Sequence, residues 1–300
     1  MSSAGEPRPR FIDTHLHMWD LARCDYPWLT PEAGIIYGSH SIDEVDAERT
    51  AAGVEGAILV QAADNHCDTD LMREAMASHP WVVGVVGWLD LVQGSAAERD
   101  AIELATFGDV VGIRHLIHTE PDPDWVVRPA VIEGLRAVAR AGLTFDVVSV
   151  ELRHLEHVPT LARALPGLTL VIDHLSKPPI ASGNLSAWAE RLRAAAAFPN
   201  VHAKVSGLDT AAGSPDWTPD DLRPAFEIAL EAFGADRLMY GGDWPISKLG
   251  GGYTRQVTAF EKLLAPLSAA EQAEIRGGTA LRAYRLGAHG TTAGGPAAGL

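Results

Sequence analysis

Short runs rich in Val, Ile and Leu recur along the chain at residues 10–15, 56–61, 82–88, 110–114, 144–149, 168–173, 201–206 and 238–242. Several are nearly continuous in apolar residues, the pattern of strands covered on both faces. Between them lie longer stretches, at 41–52, 68–78, 96–106, 128–141, 185–197 and 220–233, whose apolar positions fall at helical spacing. Strand and helix alternate without a break in composition, which predicts a single (β/α)8 TIM barrel over residues 10–286. Residues 1–9 and 287–300 are expected to be flexible tails, the second being rich in Gly, Ala and Thr with little to bury. An open doubly wound sheet is the competing architecture. It is disfavoured because no G-x-G-x-x-G loop succeeds the first strand.

A pair of histidines closes that strand instead, in Phe11-Ile12-Asp13-Thr14-His15-Leu16-His17. Positions i and i+2 of a strand share a face, so His15 and His17 converge where a barrel keeps its chemistry, at the carboxyl end. Two other strand ends offer partners. The sixth run closes with Asp173-His174-Leu175-Ser176-Lys177-Pro178 and the eighth with Gly241-Gly242-Asp243-Trp244-Pro245. His15, His17, His174 and Asp243 together form an N3O donor set suited to one divalent ion, zinc first, with manganese or iron as alternatives. Asp243 is also the candidate general base, since a carboxylate beside a cation stays ionised near neutrality.

Arg114 and His115 close the fourth strand, where a guanidinium would suit a substrate carbonyl or carboxylate or else a structural ion pair. Lys204 lies inside the seventh run, as a site residue or as a charge balancing Asp243. The long connection over residues 19–40 holds Tyr26-Pro27-Trp28-Leu29 and is expected to act as a substrate lid. No Gly-x-Ser-x-Gly elbow is present.

Composition narrows the partners. The 300 residues are 47% apolar and 21% charged, with a formal net charge of −15, which argues against nucleic acid. No secretory signal and no stretch of about 18 apolar residues is visible, so a cytoplasmic location without membrane contact is expected. Cys24 and Cys67 are expected to be reduced, structural thiols. A homo-oligomer is compatible with the sequence.

Taken in order, Ile12-Asp13-Thr14-His15-Leu16-His17-Met18-Trp19-Asp20, Tyr26-Pro27-Trp28-Leu29, Val60-Gln61-Ala62, Gly87-Trp88-Leu89-Asp90, Gly112-Ile113-Arg114-His115, Asp173-His174-Leu175-Ser176-Lys177-Pro178, Lys204-Val205-Ser206-Gly207-Leu208 and Gly241-Gly242-Asp243-Trp244-Pro245 resemble the sugar lactonase branch of the amidohydrolase superfamily. That resemblance implies a distorted (β/α)8 barrel that opens a sugar-acid lactone, an aldonolactone or aldarolactone, by water attack. It implies a centre of His15, His17, His174 and Asp243, with His174 and Asp243 catalytic and Asp243 returning its proton to the leaving alkoxide. Trp28, Arg114, His115, Lys177 and Trp244 are the candidate substrate-binding residues, for a lactone that is neutral or anionic. Arg114 stands where binuclear relatives carry a bridging lysine, so one metal is expected rather than two. The branch is also similar to metal-free 2-pyrone-4,6-dicarboxylate lactonases and to metal-dependent non-oxidative decarboxylases, which remain the alternatives.

Overall fold

The computed structural model describes residues 11–93 and 95–286; the tails expected at 1–9 and 287–300 lie outside the described residues. Eight parallel strands pair in chain order: β1 (Ile12–Leu16), β2 (Gly56–Val60), β3 (Val82–Gly87), β4 (Val110–His115), β5 (Thr144–Val147), β6 (Leu170–Ile172), β7 (Val201–Val205) and β8 (Leu238–Tyr240). Each falls within a predicted run or extends it by a residue or so. The helices α1 (Asp43–Ala51), α2 (His66–Ser78), α3 (Ser95–Thr106), α4 (Pro129–Arg140), α5 (Leu152–Ala164), α6 (Ser186–Ala196), α7 (Pro219–Phe233) and α8 (Tyr253–Leu264) surround the sheet. This is a (β/α)8 barrel. Helices α5 and α8 fall outside the segments named from the sequence; Pro159 interrupts the pattern of α5, and α8 comes directly after the glycines 250–252.

Helix starts obey local chemistry. Asn65 precedes α2 and accepts from the Asp68 N–H at 2.9 Å, while Asp221 in the first turn of α7 accepts from the Thr218 N–H at 2.7 Å. Inside the barrel, Ile58, Val60, Val86, Val111, Val171 and Met239 form a core that Ala283 and Tyr284 join from the end of the described chain. The larger apolar cluster lies between sheet and helices.

The seam between the first and last strands closes just beyond β8. His17 N donates to Trp244 O at 2.7 Å and Asp243 N donates to His15 O at 2.7 Å. Deeper in the barrel, Asp13 accepts from Gly242 N at 2.8 Å and from the Tyr253 hydroxyl at 2.9 Å. Barrel closure therefore sets His15, His17 and Asp243 side by side.

One expectation is overturned. Cys24 and Cys67 form a disulfide, with their Cα atoms 5.8 Å apart. The loop after β1 folds back over the start of α2, so two cysteines separated by 43 positions meet there. Among the described residues no helix is long and apolar enough to cross a membrane.

Candidate active site

His15 is fully buried and His17 nearly so at the mouth of the barrel. The Nδ1 of His17 lies 2.7 Å from Val60 O, and because a carbonyl only accepts, Nδ1 carries a proton and Nε2 is the atom turned to the site. Burial, with only partial opposition from Asp173, drives the His15 imidazole well below its usual pKa. The two Nε2 atoms are 3.2 Å apart. Asp243 Oδ1 is 3.4 Å from His17 Nε2 and 3.8 Å from His15 Nε2. Four-coordinate zinc with ligand bonds of about 2.0–2.1 Å has donor–donor edges of about 3.3 Å. The spacing of the trio fits such an ion.

Burial pushes the Asp243 carboxyl up, but the imidazoles of His174, His17 and His15, with the Lys177 ammonium, outweigh it and hold Asp243 well below the usual carboxylate range. His174 does not join this trio. It belongs to a second group with His15 and Asp173, and its Nδ1 lies 2.8 Å from Ser206 Oγ. Burial first, then the charges of Lys177 and Arg114, bring its pKa down to about 3.

The chain after β6 takes an uncommon path to present His174. His174, Leu175, Ser176 and Lys177 have φ values of 52°, 49°, 60° and 48°, consecutive left-handed residues without a glycine. Each costs about 1–2 kcal/mol relative to the right-handed form. The turn is held by neighbours: Trp188 Nε1 donates to Leu175 O at 2.7 Å, and the Ser149 hydroxyl donates to Ser176 Oγ at 2.5 Å. Gly207, with φ 59°, lies so close that a Cβ there would meet His174 Nδ1 at 2.9 Å and Asp243 Oδ2 at 3.2 Å. A side chain at 207 would displace both groups.

Beneath the histidines lies a buried charge network. Arg114 Nη1 donates to Asp173 Oδ2 at 3.0 Å, and Nη2 donates to Gln61 O. Lys204 Nζ is 2.5 Å from Asp146 Oδ2, 3.0 Å from Asp173 Oδ1 and 3.1 Å from His15 Nδ1. The carboxylates that balance Lys204 are thus Asp146 and Asp173, not Asp243. Register explains it: Arg114 pairs with Asp146 across β4–β5, and both side chains face the barrel interior. Asp173 Oδ1 also lies 3.3 Å from His15 Nδ1, at ion-pair distance.

A cleft of about 180 Å³ opens above these groups. His17, His174 and Asp243 reach its floor, with Arg114, Lys177 and Trp28 on its walls. Trp28 is fixed by donating from Nε1 to Ala62 O at 2.6 Å. His115 and Trp244 are placed elsewhere. His115 stacks on Trp125 with ring centroids 4.0 Å apart and bonds Glu120 at 2.8 Å, while Trp244 is 1% exposed beneath the site. His118, which no sequence pattern singles out, lines the cleft from the short turn Ile117–Thr119.

This architecture, with a His/His/Asp donor set at the seam of the first and last strands, is that of a (β/α)8-barrel hydrolase. The chain belongs to the amidohydrolase family: the family model Amidohydro_2 matches residues 12–286. An L-fucono-1,5-lactonase of Burkholderia ambifaria is 37% identical over 242 residues, 80% of this chain and 82% of that protein. An L-fucono-1,5-lactonase of Burkholderia multivorans is 33% identical over 289 residues, covering 92% and 96%. The crystal structure of an amidohydrolase from Burkholderia multivorans with bound zinc superimposes with a TM-score of 0.85 at 32% identity, over 92% of this chain and 99% of that one.

Proposed function

We propose that this protein hydrolyses a sugar-acid lactone of the aldonolactone class, with L-fucono-1,5-lactone the first compound to test. The observation that carries the reading is the trio of His15, His17 and Asp243, whose donor atoms lie 3.2–3.8 Å apart at the cleft. The two similar L-fucono-1,5-lactonases support the substrate class. A divalent ion held by His15, His17 and Asp243, zinc first and manganese as the alternative, would supply Lewis acidity toward the lactone carbonyl.

The chain's own groups do the rest. Asp243, whose carboxyl is held well below the usual carboxylate range, takes a proton from the attacking water. Arg114 lines the cleft, so its guanidinium charge can stabilise the carbonyl oxygen as negative charge develops. Trp28 offers an aromatic face to the C–H side of the ring. Attack by water needs no cysteine nucleophile, and both cysteines are joined in the disulfide.

A pH-indicator assay across aldonic, aldaric and pyrone dicarboxylate lactones, with and without chelator and added Zn²⁺ or Mn²⁺, tests this. Proton release on aldonolactones, abolished by chelator and restored by Zn²⁺, is expected. Failure on every lactone overturns the reading; turnover indifferent to chelator overturns its metal clause alone.

A further inference from the structure

Opening a lactone requires two proton movements, one from water and one to the ring oxygen, which would otherwise leave as an alkoxide. Arg114, His174 and Asp243 are poorly suited to the second. Arg114 does not give up a proton, and its Nη atoms are committed to Asp173 and the Gln61 carbonyl. His174 is kept neutral by its buried surroundings, and its Nδ1 is engaged by Ser206. Asp243 directs Oδ1 at His15 and His17.

Lys177 differs from all of these. It lines the same cleft, is half-buried, and its ammonium has no hydrogen bond or ion pair among the described residues. Its place is set by the left-handed turn, in which Lys177 N donates to His174 O at 2.9 Å and fixes the two residues relative to each other. A strained turn of four non-glycine residues that ends on an unpaired cation facing a cleft is the arrangement expected where backbone conformation is held for function.

We propose that Lys177 is a catalytic residue that donates a proton from its ammonium to the lactone ring oxygen as the C–O bond breaks. The assignment rests on the proposed lactone hydrolysis and moves the leaving-group proton from Asp243 to Lys177. Water oxygen bonds to the carbonyl carbon and one water proton passes to Asp243. The carbonyl carbon–ring oxygen bond breaks and the ring oxygen takes the Lys177 proton, giving a hydroxyl. The new carboxylic acid releases its proton to solvent, and the proton on Asp243 restores the Lys177 ammonium. The sum is lactone plus water to hydroxycarboxylate plus one proton, with no redox change.

The test compares L-fucono-1,5-lactone, whose leaving group is an alkoxide, with dihydrocoumarin, whose phenoxide leaves without protonation. The variants are Lys177→Met and Lys177→Gly in the full chain, glycine being the residue best suited to the left-handed position. A fall in kcat of roughly 10²–10³ on the sugar lactone is expected, against less than about fivefold on dihydrocoumarin. Ethylammonium should restore Lys177→Gly on the sugar lactone, and tetramethylammonium, which has no proton to give, should not. Equal losses on both lactones, no loss on either, or rescue by both cations would overturn the Lys177 assignment. A wild-type protein that opens neither lactone would instead remove the function on which it rests.

Discussion

Asp173 Oδ1 sits 3.3 Å from His15 Nδ1, and both side chains are sealed from solvent. The same carboxylate takes Arg114 through its other oxygen at 3.0 Å. Asp173 is therefore placed for two jobs: it lies against the His15 imidazole, whose Nε2 faces His17, and it neutralises cations beneath the site.

Asp173→Asn separates these jobs by two readouts. Partners that orient a ligating histidine are worth roughly 10–100-fold in metal affinity, so zinc binding measured by competition with a chromophoric chelator should weaken by about that factor. Loss of a buried counter-ion should also lower unfolding stability by about 3–5 kcal/mol. Unchanged zinc affinity in a folded variant would show that the carboxylate serves the charge network alone.

Lys204→Met leaves Asp146 without its paired cation and Asp173 with Arg114 alone. A stability loss of about 3–5 kcal/mol in urea unfolding is expected, because desolvated charge is left uncompensated. The double variant Lys204→Met/Asp146→Leu should recover part of it, although the Tyr284 hydroxyl, which donates to Asp146 at 2.8 Å, then loses its acceptor. A double variant less stable than Lys204→Met would contradict this account.

These contacts mark the limit of what the sequence carries. The strands are legible because each is a local apolar run, and His15, His17 and Asp243 because strand ends can be counted. Asp146 and Asp173 meet Lys204 only once barrel closure fixes which way each strand faces, and that register is not written in any local pattern. Asp173 carries one readable signal, an acidic residue beside His174 at a strand end. His118 carries none, since it lies in a turn without periodicity. The Cys24–Cys67 bond is hidden for a similar reason: the fold of the loop after β1, not cysteine spacing, brings the sulfurs together.

Asp243→Asn should leave the fold intact, because asparagine tolerates the left-handed conformation that Asp243 adopts at φ 50°. It removes the proton acceptor, so kcat should fall by about 10²–10⁴ with thermal stability little changed. Retention of more than a tenth of wild-type kcat would rule out Asp243 as the base.

The disulfide closes a loop of 43 residues. Chain-entropy arithmetic gives about 4 kcal/mol for a loop of that size, so reduction, or Cys67→Ser, should lower Tm by several degrees. The loop also carries Trp28 into the cleft, so a rise in KM should accompany it. Equal Tm in oxidised and reduced protein would mean that the loop is held by its other bonds, such as Tyr26 to Asp68 at 2.7 Å.

Asp13, at the β1–β8 seam, gives a pH signature of its own. Burial pushes its carboxyl up from 3.8 to about 7, against the opposing bonds from Gly242, His15 and Tyr253. Between those values the folded chain holds a proton that the unfolded chain has released. The stability this group contributes is therefore complete below about pH 4 and lost as pH rises through about 7. Asp13→Asn has nothing to titrate and keeps an oxygen for the two backbone donors. The stability of wild type relative to Asp13→Asn should thus fall with rising pH, by an amplitude of about 4 kcal/mol for a shift of this size. Urea unfolding of both proteins from about pH 4.5 to 8.5 measures it. Parallel curves would show that Asp13 stays ionised throughout, with the three donors at the seam outweighing its burial.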